Sequence, residues 1–386
     1  MPAAGRAPDA SAERWRAVRR WLNENRRELG AWAAGFYPQA RRVAGTSLLC
    51  REEWIPDEPL ELPGLTLRWR DQPPLPVVDG TGPQSEDVRP VSGDGTRYRT
   101  YSEALAAIDP PSVFENRPSY RILGADLSGP ARCMEFSGGH YFDGINVGEA
   151  LAHELAADWL GRQEAPAWER LPLRSSVGDP CDLARRSVLA AVTTLTLRRD
   201  RSGRASFLLH WRDPAKVTHA GGLYQVMPAG IFQPADGTPG GQDADLDIWR
   251  CMVREFSEEL LGTAEDYRGL GTPLDYGRWP FFGQLDEARR SGRLGVSCLG
   301  LGVDPLTLVV DILTVAIFDS DVFDAAFKDL VAANAEGRVL SGPESTGIPF
   351  TDEAVARFAG GAEPMQPAGA ALLRLAWHNR GPLLAR

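Results

Sequence analysis

One stretch of this chain constrains its fold more than any other. From about Asp247 to Leu261, Trp249, Met252, Val253, Phe256 and Leu260 recur at helical spacing. That period predicts a helix with one face in a core. Glu255, Glu258 and Glu259 stand at i, i+3 and i+4, on the neighbouring stripe. Gly262 follows where a C-terminal cap is expected. Three clustered carboxylates repel one another unless solvent or a cation relieves them. Hard divalent ions such as Mg²⁺ take oxygen ligands and often join carboxylates to substrate phosphates, so the spacing points to a metal–diphosphate site. The plain alternative is a solvated acidic helix face.

The elements around this helix follow an order. Val188–Arg198 contains the β-branched run Ala191-Val192-Thr193-Thr194-Leu195-Thr196-Leu197. Asp200-Arg201-Ser202-Gly203 predicts a turn, and Ala205–Trp211 the returning strand of a hairpin. Gly221-Gly222-Leu223-Tyr224-Gln225-Val226-Met227-Pro228-Ala229-Gly230 joins tight turns to a short strand. A spacer rich in Gly, Pro and Asp, residues 233–245, separates it from the helix. The apolar stretch Leu306–Phe318 reads as one long or two short buried strands, interrupted by Asp311.

At these residues the chain resembles the Nudix hydrolases. Their signature ends in Arg-Glu, an apolar residue, any residue, then Glu-Glu; here it reads Arg254-Glu255-Phe256-Ser257-Glu258-Glu259. Their strand-loop ends in a Pro-Gly-Gly-like turn, matched by Pro228-Ala229-Gly230. The resemblance covers roughly residues 187–340. Three features depart from the pattern. Gly230 is separated from the helix by the long spacer. If Gly240 stands in for the signature glycine, the family's upstream glutamate falls on Leu246, between Asp245 and Asp247. The closing glycine comes one residue late, at Gly262.

The resemblance implies an α/β protein whose C-terminal part, residues 187–386, is an α/β/α sandwich with a mixed sheet. A smaller α+β domain, residues 1–165, precedes it, with a linker at 166–186 marked by Pro166, Pro172, Gly178 and Pro180. It further implies a Mg²⁺- or Mn²⁺-dependent hydrolase of a diphosphate linkage in a nucleotide or other small molecule. Glu258 and Glu259 are the first choices for metal ligands, with Glu255 third; all three are catalytic candidates. Arg254 is expected to orient the carboxylates through an ion pair. Asp311 is a candidate base from a later strand, because a buried carboxylate needs a partner or a metal. Arg212, Lys216 and His219 lie before the Gly-Gly turn and are candidates for phosphate oxygens; their alternative is surface solvation. Gly230 would line the ligand, and Tyr224 or Trp279 could stack on a ring, with core packing as the alternative. Two competing classes stay open: a non-hydrolytic ligand-binding or regulatory protein, and a biosynthetic enzyme using the same pocket for other chemistry.

Composition narrows the partners. The formal net charge of −10 argues against a nucleic-acid duplex. The basic concentration Arg14, Arg16, Arg19, Arg20, Arg26 and Arg27 reads as a solvated helix face, diluted by Glu13, Glu24 and Glu28. Cys50, Cys133, Cys181, Cys251 and Cys298 form no C-x-x-C pair, which argues against zinc or a disulfide framework. No apolar run reaches the ~18 residues of a membrane span, and no signal-peptide core is evident, so a cytoplasmic protein is expected. A homo-oligomer is left open. In the first half, Ser11 to about Ala34 has a helical period, residues 47–70 predict short strands, and 71–98 a long loop. Asn146 with Glu149 predicts a helix start. That helix carries Glu149 and His153 on one face.

Overall fold

The computed structural model describes residues 10–111, 114–212, 222–235, 242, 245–263, 274–331, 337–340 and 347–385. In chain order the strands of the first half are β1 (Arg41–Arg42), β2 (Leu49–Cys50), β3 (Leu60–Glu61), β4 (Thr66–Trp69), β5 (Pro118–Asp126) and β6 (Cys133–His140). Those of the second are β7 (Ala190–Arg199), β8 (Ala205–Phe207), β9 (Leu209–Arg212), β10 (Tyr224–Val226), β11 (Ala229–Ile231), β12 (Leu294–Val303), β13 (Val310–Asp319), β14 (Gly337–Leu340) and β15 (Ile348–Pro349).

The central sheet is mixed. Its order is β1-β2-β12-β13-β7-β8-β15, with β11 also on β7 and β3 also on β12. The β7–β13 pair is parallel from Val310↔Ala190 to Asp319↔Arg199; β12–β13 and β11–β7 are antiparallel. Both central strands are buried on both faces, as their near-continuous apolar sequences require. Alternation assigns the two coverings. Phe318 meets Phe256, Phe323 and Phe327 at 5.6, 5.7 and 5.6 Å, so even-numbered β13 residues face helices Ile248–Leu261 and Ser320–Ala326. Phe281 of helix Pro280–Arg290 joins this layer through Phe327. On the other face Leu197 pairs with Phe207, which packs edge-on to Phe350 and Phe358. Helices Asp352–Ala359 and Pro367–His378 form that layer. The α/β/α sandwich expected from the sequence is therefore present.

The first half is built around helix Tyr141–Arg162, whose residues from Gly144 to Ala156 are all buried. A helix buried all round must be surrounded by chain. Gly148 lets it touch the turn before β13: a Cβ there would lie 2.8 Å from the Thr307 carbonyl oxygen. β2 and β3 extend the central sheet at the edge of β12. Segment 166–186 is packed as well. Arg174, fully buried on helix Pro172–Val177, donates to the carbonyls of Pro305 and Leu306 at 2.8 and 2.6 Å.

Several local expectations need correction. The first helical stretch is two helices, Ala10–Glu24 and Arg26–Gly35, broken at Asn25. The helix expected to open at Asn146 begins at Tyr141, where Asp143 accepts from the His140 amide at 2.8 Å. Asn146 lies inside it and accepts from the Ser102 amide at 2.8 Å. The basic cluster is not wholly a solvated face: Arg19 and Arg26 are buried and ion-pair with Glu149 at 3.1 and 2.7 Å. His153 is buried against Tyr101 (Nδ1 to OH, 3.2 Å), and burial with the Arg19 charge pushes its pKa down to about 3. Glu149 and His153 thus face the first helices rather than a cleft. All five cysteines are free thiols. Among the described residues no helix is long and apolar enough to cross a membrane.

The Phe256–Phe318 contact is central to the layer beneath the glutamates. Phe256→Ala should cost about 3–5 kcal/mol of stability. In urea unfolding the midpoint should fall with the slope unchanged, leaving the fold intact.

Candidate functional site

The acidic helix runs Ile248–Leu261. Asp247 caps its start, its side chain accepting from the Arg250 amide at 3.1 Å. Gly262 ends it in the left-handed region (φ 67°), its amide bonding the Glu258 carbonyl at 3.1 Å while the Thr263 amide reaches Ser257 at 3.2 Å. The apolar stripe turns to the sheet and the carboxylates turn to β11. The Glu255 carboxyl lies against Gly230, at 2.1–2.2 Å from where a Cβ would stand, so a side chain there would displace the carboxyl. One turn on, Glu259 Oε1 accepts from the Ala229 amide at 3.1 Å. Glu255 is buried (9% exposed), whereas Glu258 and Glu259 are half-buried.

Arg254 is buried beside them, and its ion pair is with Asp245 (3.1 Å). It also donates to the Tyr276 hydroxyl and the Gln233 carbonyl. Burial opposes its charge, but the surrounding groups, Asp245 and Glu255 among them, hold the guanidinium protonated. Its ion pair is therefore with a carboxylate upstream of the helix. Sequence reasoning gave no role to Asp245 or Tyr276. The one signal for Asp245 was its place beside Leu246, where the family's pattern has a glutamate.

The remaining candidates are dispersed. Gly230 pairs with Val192, and Val192 with Ile312. Paired residues share a face and neighbours alternate, so Asp311 points to the face opposite Glu255. There its Oδ1 accepts from the Thr193 hydroxyl at 2.6 Å, and burial, with Asp304 nearby, pushes its pKa up to about 7. As a base for the glutamate site Asp311 is misplaced: one residue along a strand is half a period. Tyr224 packs edge-on to Phe358 (5.6 Å), in the opposite helix layer. Arg212 ends β9, its amide and carbonyl tied to Leu223 and Gly222. Lys216 and His219 lie outside the described residues. Trp279 stands 6.3 Å from the Tyr276 ring, before helix Pro280–Arg290.

The donor chemistry at the helix, three carboxylates, suits a hard divalent ion. As placed, no three His, Cys, Asp or Glu groups among the described residues close on one point. A surface cavity of about 470 Å³ lies at the far end of β7, lined in part by Arg199, Arg201, Arg293, Asp200, Asp319 and Asp321. Arg199 there is paired with Asp319 at 2.6 Å, and the glutamates take no part in it.

No family model matches the chain, and no curated protein matches it. Among solved structures it is similar to a NUDIX hydrolase from Alicyclobacillus acidocaldarius, at 17% identity over 52% of this chain and 96% of that chain, with a TM-score of 0.28. A superposition that loose carries no argument about chemistry.

Asp311 generates a pH-dependent prediction. Its folded pKa is raised from 3.8 to about 7, so the folded state favours the neutral acid. The associated stability is complete below about pH 4 and is lost as pH rises through about 7. Asp311→Asn should match the parent protein near pH 4 and exceed it at pH 8 by on the order of a few kcal/mol. Urea unfolding across that range checks this; a constant difference at every pH contradicts it.

Proposed function

We propose that the glutamate helix and β11 form a divalent-cation site for a diphosphate-containing small molecule, and that the protein hydrolyses the diphosphate linkage. One observation carries this reading. Glu255 and Glu259, one helical turn apart, reach neighbouring backbone positions, Gly230 and Ala229 respectively, with Glu258 between them on the helix. A concentration of negative charge against a strand position without a side chain, Gly230, is a surface that a cation and an anionic ligand can share. Glu258 and Glu259 would hold Mg²⁺ or Mn²⁺, with Glu255 completing the set. The ion would supply positive charge against the diphosphate oxygens.

The chain's own groups do the rest. Gly230 leaves room for close approach. Water attacks one phosphorus in line with the bridging oxygen; the bond to that oxygen breaks, and it leaves on the other phosphate. The proton released by the water passes to a carboxylate.

In this reading residues 1–165 form a wall of the site, residues 166–186 connect the two parts, and residues 187–386 carry the glutamates. The support is local. The Tyr120 amide on β5 donates to the Phe232 carbonyl (3.0 Å), immediately after β11, and the two rings make a tilted contact at 4.6 Å. The Tyr120 hydroxyl donates to the carbonyl of Gln242, within the spacer, at 2.7 Å.

A second reading, ligand binding without turnover, is favoured by the Glu259 carboxyl's engagement with the Ala229 amide. The two diverge experimentally. A panel of nucleoside, sugar and prenyl diphosphates incubated with Mg²⁺ or Mn²⁺ should yield phosphate products if the protein is a hydrolase; binding with every compound recovered intact supports the second reading. Glu258→Gln and Glu259→Gln should each weaken Mn²⁺ binding by about tenfold or more. Calorimetric titration reads the affinity and a melting curve confirms the fold. Unchanged affinity in both variants removes the metal site.

A further inference from the structure

We propose that Asp245 and Tyr276 are positioning residues for the glutamate face, acting through Arg254; the proposal rests on the metal-site reading above. Arg254, Asp245 and Tyr276 form a closed ring in which each is bonded to the other two. Arg254 Nη1 donates to Asp245 Oδ2 at 3.1 Å and to the Tyr276 hydroxyl, and that hydroxyl donates to Asp245 Oδ1 at 2.9 Å. All three residues are at most 9% exposed. A planar guanidinium, a two-oxygen carboxylate and a hydroxyl that both gives and accepts leave little rotational freedom in such a ring.

The ring gathers three separate pieces of chain. Arg254 Nη2 holds the Gln233 carbonyl, and Asp245 Oδ2 also accepts from the Ala235 amide at 2.6 Å. The beginning of the 233–245 spacer is thus stitched to its end. Tyr276 adds the segment before helix Pro280–Arg290, and its ring lies 4.7 Å beneath the Arg250 guanidinium. A long insertion beside the helix therefore enters and leaves through one fixed node, and its length is uncoupled from the helix position.

The node also sets the helix's rotation. Arg254 immediately precedes Glu255, so anchoring one fixes the direction of the other. A rotation of about 10° moves an atom at the ~6 Å surface of a helix by about 1 Å. That displacement would lift the Glu255 carboxyl from Gly230 and carry Glu259 away from the Ala229 amide. Errors of about 1 Å at a reacting centre cost on the order of a hundredfold in rate. The ring is also a buried charge pair, which by itself adds little net stability but specifies geometry when every member is bonded.

The test uses the full chain. Tyr276→Phe removes one hydroxyl and keeps the ring packing; Asp245→Asn keeps the shape and removes the charge. Two readouts separate positioning from plain stability. The first needs no metal: the ¹³C carboxyl resonance of Glu255 in protein labelled at glutamate, assigned by its disappearance in Glu255→Gln. The second is Mn²⁺ affinity by calorimetry. Both variants should move the Glu255 resonance and should weaken Mn²⁺ binding by about tenfold, Tyr276→Phe doing so with little change in melting temperature. A Glu255 resonance that stays in place in both folded variants overturns the proposal, even if they melt earlier. Failure of the parent protein to bind Mn²⁺ would instead overturn the metal reading, while the resonance still decides whether the ring positions Glu255.

Discussion

Thr194 and Thr314 are 120 residues apart in sequence, yet their hydroxyls meet at 2.8 Å between two parallel strands. That pairing of β7 with β13 organises the molecule. Parallel strands need a crossover, and the chain between these two supplies β8 to β12, the glutamate helix and helix Pro280–Arg290. Both faces of the pair are apolar, so both must be covered. The helices after β11 cover one and the last helices of the chain cover the other. Burying two such strands on both sides supplies much of the apolar burial that offsets the conformational entropy of closing loops this long.

The same pairing decides what can meet what chemically. Side chains leave a strand alternately, so the register of β11, β7 and β13 sends Gly230, Val192 and Ile312 to the glutamate side and Asp311 to the other. A carboxylate within an apolar stretch looked catalytic in sequence. In the fold it is a buried acid bonded to Thr193, on the wrong side by a single residue. The glutamate side, by contrast, is tied to charges upstream of its own helix and to the first half of the chain through Tyr120.

The glutamate helix was legible in advance because its signals are local. Its apolar period, its carboxylate spacing, Asp247 at one end and Gly262 at the other lie within sixteen residues and need no partner to be read. The turn at Asp200–Gly203 was legible for the same reason, but the returning strand expected over Ala205–Trp211 ends at Phe207, and Leu209–Arg212 joins another sheet. The start of the long helix in the first half was not. Asn146 and Glu149 fit a capping pattern, but their side chains are drawn to Ser102, Arg19 and Arg26, which lie far away in sequence. Arg19 and Arg26 looked solvated because a charge run gives no sign of a buried carboxylate elsewhere.

By itself the sequence determined the α/β character of the chain, the helix that carries Glu255, Glu258 and Glu259, and the glycine that closes it. Each follows from periodicity or from a backbone requirement acting over a few residues. The tertiary structure alone decided that Arg254 pairs with Asp245 and Tyr276, that Asp311 and Tyr224 belong to the opposite layer, and that Tyr120 reaches the segment before the helix. Those outcomes depend on strand register and on contacts between residues distant in sequence. A one-residue change of register reverses a side chain's face without altering any local pattern.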